Sequence, residues 1–292
     1  MRGELEAKRL AEHKVVCPDC SNTLTPRKSD LVCSNCRRIF QRDSEGVWRF
    51  NKQEFDQSRL SIFKDEEYVR WREIFENEEV RDWSIYSNRL KRFFSQSGHR
   101  LLARMMLRDP EIRGQSLLEI GAGTGVLLNY FPADHYVALD WSHASLALLK
   151  RNNPDAIALQ TNTSVLPFGD SSFNAVASLH TLEHIYELGE HLQEVKRVLQ
   201  RHRFYYFAIP TEGGVAFWLG RQIFTRRHLR KRYNLDANFI MQREHINDAK
   251  RVLKFLKMYF VFCRKLFWPL PIPLIGLNAV IVGRCASGDG PD

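Results

Sequence analysis

The chain has 292 residues, 44% hydrophobic and 26% charged, with a formal net charge of +9. That composition belongs to a soluble globular protein and not to a low-complexity chain, and the length accommodates one good-sized domain plus a small one. The positive excess favours a polyanionic partner, RNA or an acidic membrane surface, and does not bear on the fold.

The opening "MRGELEAKRLAEHKVV" has no apolar centre. It reads as no signal peptide, so cytoplasmic residence is the default expectation. Residues 1–50 hold four of the six cysteines: Cys17, Cys20, Cys33 and Cys36 form C-x2-C-x12-C-x2-C. Two such pairs on two knuckles can place four thiolates tetrahedrally around one ion. A cytosolic setting disfavours disulfides, and zinc is expected ahead of iron. A closed four-cysteine site leaves no position for water and is structural. Its binding energy would fold a segment too small to have a core of its own.

Residues 51–110 read as a helical connector. Tyr68, Trp71 and Phe75 stand at i, i+3 and i+7, one face of a helix. That face either packs on the neighbouring domain or forms a lid over an active site. From 111 to 286 the pattern alternates. "SLLEI", "YVALD", "AIALQ", "FNAVASL" and "FYYFAI" suit buried parallel strands. "HASLALLK" and "ELGEHLQEVKRVL" have helical periodicity, with Ser142 as the N-cap of the first. The alternation predicts an α/β fold, a parallel sheet with helices on both faces.

A basic insertion occupies about 211–245. Arg226, Arg227, Arg230, Lys231 and Arg232 crowd it, with Phe217, Trp218 and Phe224 nearby. Three readings stay open: a solvated helix face, phosphate contact with RNA, or contact with a diphosphate-linked lipid or anionic membrane surface. A helix follows in "INDAKRVLKFLKMYF", with Asn247 as a plausible cap, and a strand pair closes the chain. Cys263 and Cys285 fall in its apolar runs and read as buried thiols. The longest uncharged apolar stretch, Phe267 to Gly283, is interrupted by prolines and is shorter than the roughly 20 residues of a spanning helix. No transmembrane span is expected.

The first strand ends at Ile120 and runs into Gly121, Gly123 and Gly125. Without Cβ atoms these can take positive φ and let a ligand touch the main chain. A dinucleotide fingerprint needs its third glycine at 126, which is Val126. A Walker loop needs a lysine that is absent. The spacing resembles motif I of class I S-adenosylmethionine-dependent methyltransferases. Asp140 closes the second strand, and "LPFGDSSFNAVASLHTLEHI" looks like the third-loop and fourth-strand signature of the type-11 group. The resemblance implies a Rossmann-like seven-stranded sheet with helices on both faces. It implies that Glu119, Gly121, Ala122 and Gly123 line the methionine half of the cofactor. Asp140 would hold the ribose, with Trp141 and Asn162 toward the adenine and Leu166 a further cofactor-binding position. The N-terminal cysteines resemble the zinc ribbons fused ahead of such domains.

An oxygen nucleophile would need a general base. His180 ends the fourth strand, and His184 follows it. His245 precedes the last helix, and Glu212 follows the fifth strand. Each histidine has a structural alternative as a capping or backbone-bonding group. The Pro-Pro-Tyr/Phe loop of amino methyltransferases and the Pro-Cys nucleophile of cytosine-C5 enzymes are absent. The expectation is methyl transfer to a small-molecule or glycan-type acceptor. The alternatives are an RNA base methyltransferase of the guanine-N1 kind, with RNA docking through the basic insertion, and a non-catalytic cofactor-binding scaffold.

Overall fold

The computed structural model describes residues 2–50, 65–76, 96–161, 165–211, 243–274 and 277–288. Helix α1 (Arg2–Glu12) precedes a small antiparallel sheet of β1 (Leu24–Arg27), β2 (Asp30–Cys33) and β3 (Ile39–Phe40). Strand β4 (Trp48–Arg49) and helix α2 (Glu66–Glu76) follow, then α3 (Ser97–Leu107). The main sheet is built from β5 (Ser116–Ile120), β6 (His135–Asp140), β7 (Ile157–Gln160), β8 (Phe173–Leu179), β9 (Leu199–Pro210), β10 (Phe262–Trp268) and β11 (Val280–Ala286). Helices α4 (His143–Asn152), α5 (Leu188–Val198) and α6 (Ala249–Tyr259) connect them.

The strand order is β10-β11-β9-β8-β5-β6-β7-β4. The chain leaves β5 through β6 to β7, then returns to the other side of β5 as β8. That reversal makes the carboxyl edge between β5 and β8 a topological switch point, where open α/β sheets leave a crevice for ligands. β11 is antiparallel to both neighbours, so β10 again runs in the direction of β9. The seven expected strands are all present. An eighth, β4, comes from the N-terminal segment and pairs in parallel with β7. It covers what would otherwise be an open sheet edge. Two residues give no periodicity, which is why the sequence alone counts seven.

Both sheet faces are buried, as the apolar strand runs require. Leu118, Ile120, Val137 and Leu139 pack one face with Leu192 and Val195 of α5 and Val252 and Leu256 of α6. Ala7, Leu10, Phe40 and Trp48 of the N-terminal segment join this same cluster. Leu117, Tyr136 and Ala138 pack the other face against Leu102 and Met106 of α3.

Ser142 caps α4 as expected, accepting from the Ser145 amide at 3.2 Å. The cap of α6 is Asp248, which accepts from the Arg251 amide at 2.7 Å. Asn247, the expected cap, is instead buried and donates to the Leu182 and Ile185 carbonyls. Cys263 and Cys285, expected as buried thiols, are joined in a disulfide. They stand directly opposite in the β10–β11 register, a placement that strand patterns do not give. Near the start of β9, in "QRHR", His202 takes the left-handed backbone with φ 59°. No helix among the described residues is long and apolar enough to cross a membrane.

Candidate cofactor and acceptor site

All three motif glycines have positive φ: 71° at Gly121, 53° at Gly123 and 77° at Gly125. The amides of Gly121 and Ala122 both donate to the Leu139 carbonyl, at 2.8 and 3.1 Å, which ties the turn to β6. The glycines differ in what surrounds them. A Cβ on Gly121 would lie 2.2 Å from Thr181 Oγ1, and one on Gly125 2.9 Å from Leu149 Cγ. A Cβ on Gly123 would meet nothing within 4 Å. Gly121 and Gly125 are therefore packing positions, and Gly123 has open space where a side chain would stand.

Asp140 is nearly buried. Its Oδ2 accepts from the Gly123 amide and its Oδ1 from the Ser142 amide, each at 2.8 Å. A carboxylate oxygen so engaged keeps acceptor capacity for a hydroxyl. Trp141 follows, half-buried, with its carbonyl accepting from Gln160 Nε2 at 3.1 Å. Leu166 is fully buried, and its amide donates to Glu194 Oε2 at 3.0 Å. It stands in the wall and not on the surface. Asn162 lies outside the described residues.

Glu119 is buried and accepts from the Tyr136 hydroxyl. Burial pushes its carboxyl up to about 8; the Tyr136 hydrogen bond opposes this and the charge of Asp140 adds to it. A cationic group brought alongside would favour its ionised form again.

A histidine cluster sits at the carboxyl end of β8. His180 itself takes a left-handed backbone, φ 53°. Its Nδ1 lies 3.7 Å from Glu183 Oε1, and Glu183 is 2% exposed. Burial alone would raise the Glu183 carboxyl, but the His180 hydrogen bond and the charges of His184, His180 and His245 hold it below its usual range. The His180 Nε2 and His99 Nδ1 atoms are buried without a hydrogen-bond partner among the described residues, and the two rings lie 5.7 Å apart. Burial, and secondarily His180, pushes His99 down to about 3. His184 Nδ1 lies 2.6 Å from the Glu244 carbonyl, and its ring stands edge-on to His245 at 4.7 Å. Burial, then the charge of His184, pushes His245 down to about 3.

The fold thus brings His180, His184 and His245 together. Glu212 and the basic insertion with Phe217, Trp218 and Phe224 lie outside the described residues. Glu183 and His99 were not singled out from the sequence. Glu183 had a signal, the three-residue spacing from His180 in "HTLEH"; His99 had none, because it reaches the cluster from α3. Helix α2 forms where expected, with Tyr68 and Trp71 buried on one face; the Phe75 side chain lies outside the description. Trp71 Nε1 donates to Glu244 Oε1 at 3.2 Å, so this helix reaches the histidine cluster.

At the N-terminus the four cysteine sulfurs converge within 4.8 Å of one another. Cys17 and Cys36 are 3.7 Å apart, and Cys20 and Cys33 are 3.4 Å apart. Four thiolates bound tetrahedrally to zinc at about 2.3 Å would lie about 3.8 Å apart. The donor set and spacing fit that ion. Ser21 and Arg37, each just after a C-x2-C pair, take left-handed φ of 57° and 62° and turn the two knuckles.

Residues 118–207 match the family model described as "Methyltransferase domain". The chain is 37% identical over 90 residues to demethylmenaquinone methyltransferase of Renibacterium salmoninarum, covering 30% of this chain and 38% of that protein. It is 26% identical over 114 residues to a Mycobacterium tuberculosis protein named "Probable S-adenosylmethionine-dependent methyltransferase", covering 38% of this chain and 41% of that one. The chain therefore spans about two fifths of the length of these curated relatives. Among solved structures, a SAM-dependent methyltransferase from Thermotoga maritima aligns over 69% of this chain and 96% of its own, with a TM-score of 0.47 and 15% identity.

Proposed function

We propose that this chain is an S-adenosylmethionine-dependent methyltransferase acting on a small-molecule or glycan-type acceptor, with one structural zinc in its N-terminal ribbon. The observation that carries the reading is the Gly123–Asp140 pair. An open, Cβ-free main chain and a buried carboxylate, joined by a 2.8 Å hydrogen bond, meet at the switch point of the sheet. The match of 118–207 to a methyltransferase domain supports it. The demethylmenaquinone methyltransferase relative supports a small acceptor over a macromolecular one.

The cofactor, when bound, supplies an electrophilic methyl group on a sulfonium centre. In this reading Asp140 would accept from the ribose hydroxyls, Glu119 would receive the ammonium of the methionine half, and the Cβ-free Gly123 would let the cofactor approach the main chain. The protein's remaining work is alignment and exclusion of water, and alignment of this kind supplies roughly 7 to 11 kcal/mol. If the acceptor atom is a hydroxyl oxygen, His180 is the base and Glu183 orients its ring. His245 is the weaker candidate, because burial has moved it down to about 3 and so made it a poor proton acceptor.

Calorimetric titration with S-adenosylhomocysteine tests the cofactor assignment. Asp140→Ala is expected to weaken binding by about tenfold or more, the loss of hydrogen bonds to a charged acceptor. Unchanged affinity removes Asp140 from the site. Metal analysis of the purified protein should find about one zinc per chain.

A further inference from the structure

The carboxyl edge of the sheet carries a second built feature. β10 ends at Trp268 and β11 begins at Val280, opposite Pro210 at the end of β9. The connection between them therefore emerges at the same edge as the glycine turn. It contains Pro269, Pro271 and Pro273. Buried Asn278 holds it from inside: its Oδ1 accepts from the Leu270 amide, and its Nδ2 donates to the Ile272 and Leu274 carbonyls, each at 2.9 Å. With the polar side chain turned inward, the aliphatic ones are left in solvent. Leu270, Ile272, Leu274 and Leu277 are 40%, 41%, 52% and 45% exposed.

The strand that leads into this loop, β10, forms an open depression with α6. Lys250, Lys254, Lys257 and Lys265 line it together with Leu253 and Met258, and among the described residues no acidic side chain does. Met258, at the far end of the helix, is 66% exposed.

A partner for this surface must be both apolar and anionic. RNA supplies the charge, but single-stranded bases ask for aromatic platforms to stack on, and the loop offers leucine and isoleucine. A bilayer with anionic headgroups supplies both properties. Aliphatic side chains enter the headgroup–acyl boundary, and each lysine near the surface adds attraction. We propose that Leu270, Ile272, Leu274 and Leu277 insert into an anionic membrane surface while Lys250 and Lys254, at the end of α6 nearer the same edge, rest on its headgroups. This orientation turns the carboxyl edge, with the glycine turn, toward the bilayer. One corollary rests on the methyltransferase reading: the acceptor is an amphiphile reached from the membrane. The docking itself does not depend on that reading.

Co-sedimentation of the full chain with vesicles tests the docking. Binding is expected to vesicles of phosphatidylcholine with phosphatidylglycerol, and about tenfold weaker or worse to phosphatidylcholine alone. Two double variants separate the contributions: Ile272→Glu with Leu274→Glu, and Lys250→Glu with Lys254→Glu. All four side chains are exposed, so folding is expected to survive, as circular dichroism and S-adenosylhomocysteine titration would report. Each variant should lower anionic-vesicle affinity by about tenfold. Absent wild-type binding, equal binding to neutral vesicles, or folded variants that bind like wild type would each overturn the proposal. So would binding to a homopolymer RNA that depends on the lysines in a protein that ignores vesicles. A protein that binds S-adenosylhomocysteine but no vesicle loses the docking and keeps the methyltransferase reading; the converse result reverses the two.

Discussion

An added Cβ at Gly121 would lie 2.2 Å from Thr181 Oγ1, whereas one at Gly123 would have open space around it. Both residues have positive φ, so an alanine at either costs about 1 to 2 kcal/mol in backbone strain. Gly121→Ala adds a clash with a side chain whose Oγ1 donates to the Ile120 or Leu179 carbonyl. It should lose about 3 kcal/mol or more in urea unfolding. Gly123→Ala should lose only the strain, yet weaken S-adenosylhomocysteine binding. A Gly123→Ala protein of unchanged affinity would show that no ligand approaches that main chain. The three-glycine spacing was plain in the sequence, but the division of labour was not, because it is set by Thr181 and Leu149, which only the fold brings near. Glu119 offers a pH test. Its carboxyl moves from 4.5 to about 8 on burial, so the folded state keeps a proton that the unfolded chain releases between those values. Stability must then fall as pH rises through that window. Glu119→Gln removes the slope. It should gain about 1 to 3 kcal/mol at pH 8, with the gain shrinking toward pH 4.5, and should weaken cofactor binding. Melting curves with the same gain at both pH values would contradict the buried, protonated carboxyl.

Helices α1 and α4 meet through a buried ion pair. Lys150 Nζ lies 3.2 Å from Glu6 Oε2, and the two side chains are 7% and 6% exposed. Every remaining demand is met: Lys150 also donates to the Pro154 and Ala156 carbonyls, and Glu6 accepts from Trp48 Nε1 and Arg42. Removing Lys150 leaves Glu6 with Arg42, at 3.0 Å, to balance its charge, so the cost falls toward or below the low end of the about 3 to 5 kcal/mol of a fully broken buried pair. Lys150→Met should therefore be destabilising, and adding Glu6→Gln should recover part of the loss. A double-mutant cycle in urea with no coupling would mean that the two helices are not joined through this pair. Strands β5 and β8 could be read to the residue because they are buried on both faces and carry continuous apolar runs. β4 could not, since two residues have no period. The Glu6–Lys150 pair was equally hidden: a lysine near the end of an amphipathic helix looks like surface until α1 is laid across it. The same limit applies at the histidine cluster, where "HTLEH" and "REHIN" supplied His180, His184 and His245 but His99 arrives from α3.

The N-terminal segment and the sheet share one core, so the cysteine cluster acts on more than its own knuckles. Cys17, Cys33, Leu24 and Leu31 belong to the same buried cluster as Leu118 and Val137. Two links run from this segment to the walls of the proposed cofactor site. Asp43 Oδ2 lies 2.5 Å from His143 Nε2, and His143 opens α4 just after Trp141. The Val16 amide donates to the Pro167 carbonyl at 2.9 Å, and Val15 bridges Phe168, next to Leu166. If zinc fixes the ribbon, its loss should loosen both Asp140 and Leu166 at once. Chelation is therefore expected to lower the melting temperature within a single transition, because a segment this small has no separate core to melt. It should also weaken S-adenosylhomocysteine binding several-fold, with recovery when zinc is restored. Cys36→Ser, at the exposed corner of the cluster, should reproduce both effects without a chelator. Metal loss that leaves cofactor affinity untouched would make the ribbon a passenger and would refute its role in shaping the crevice.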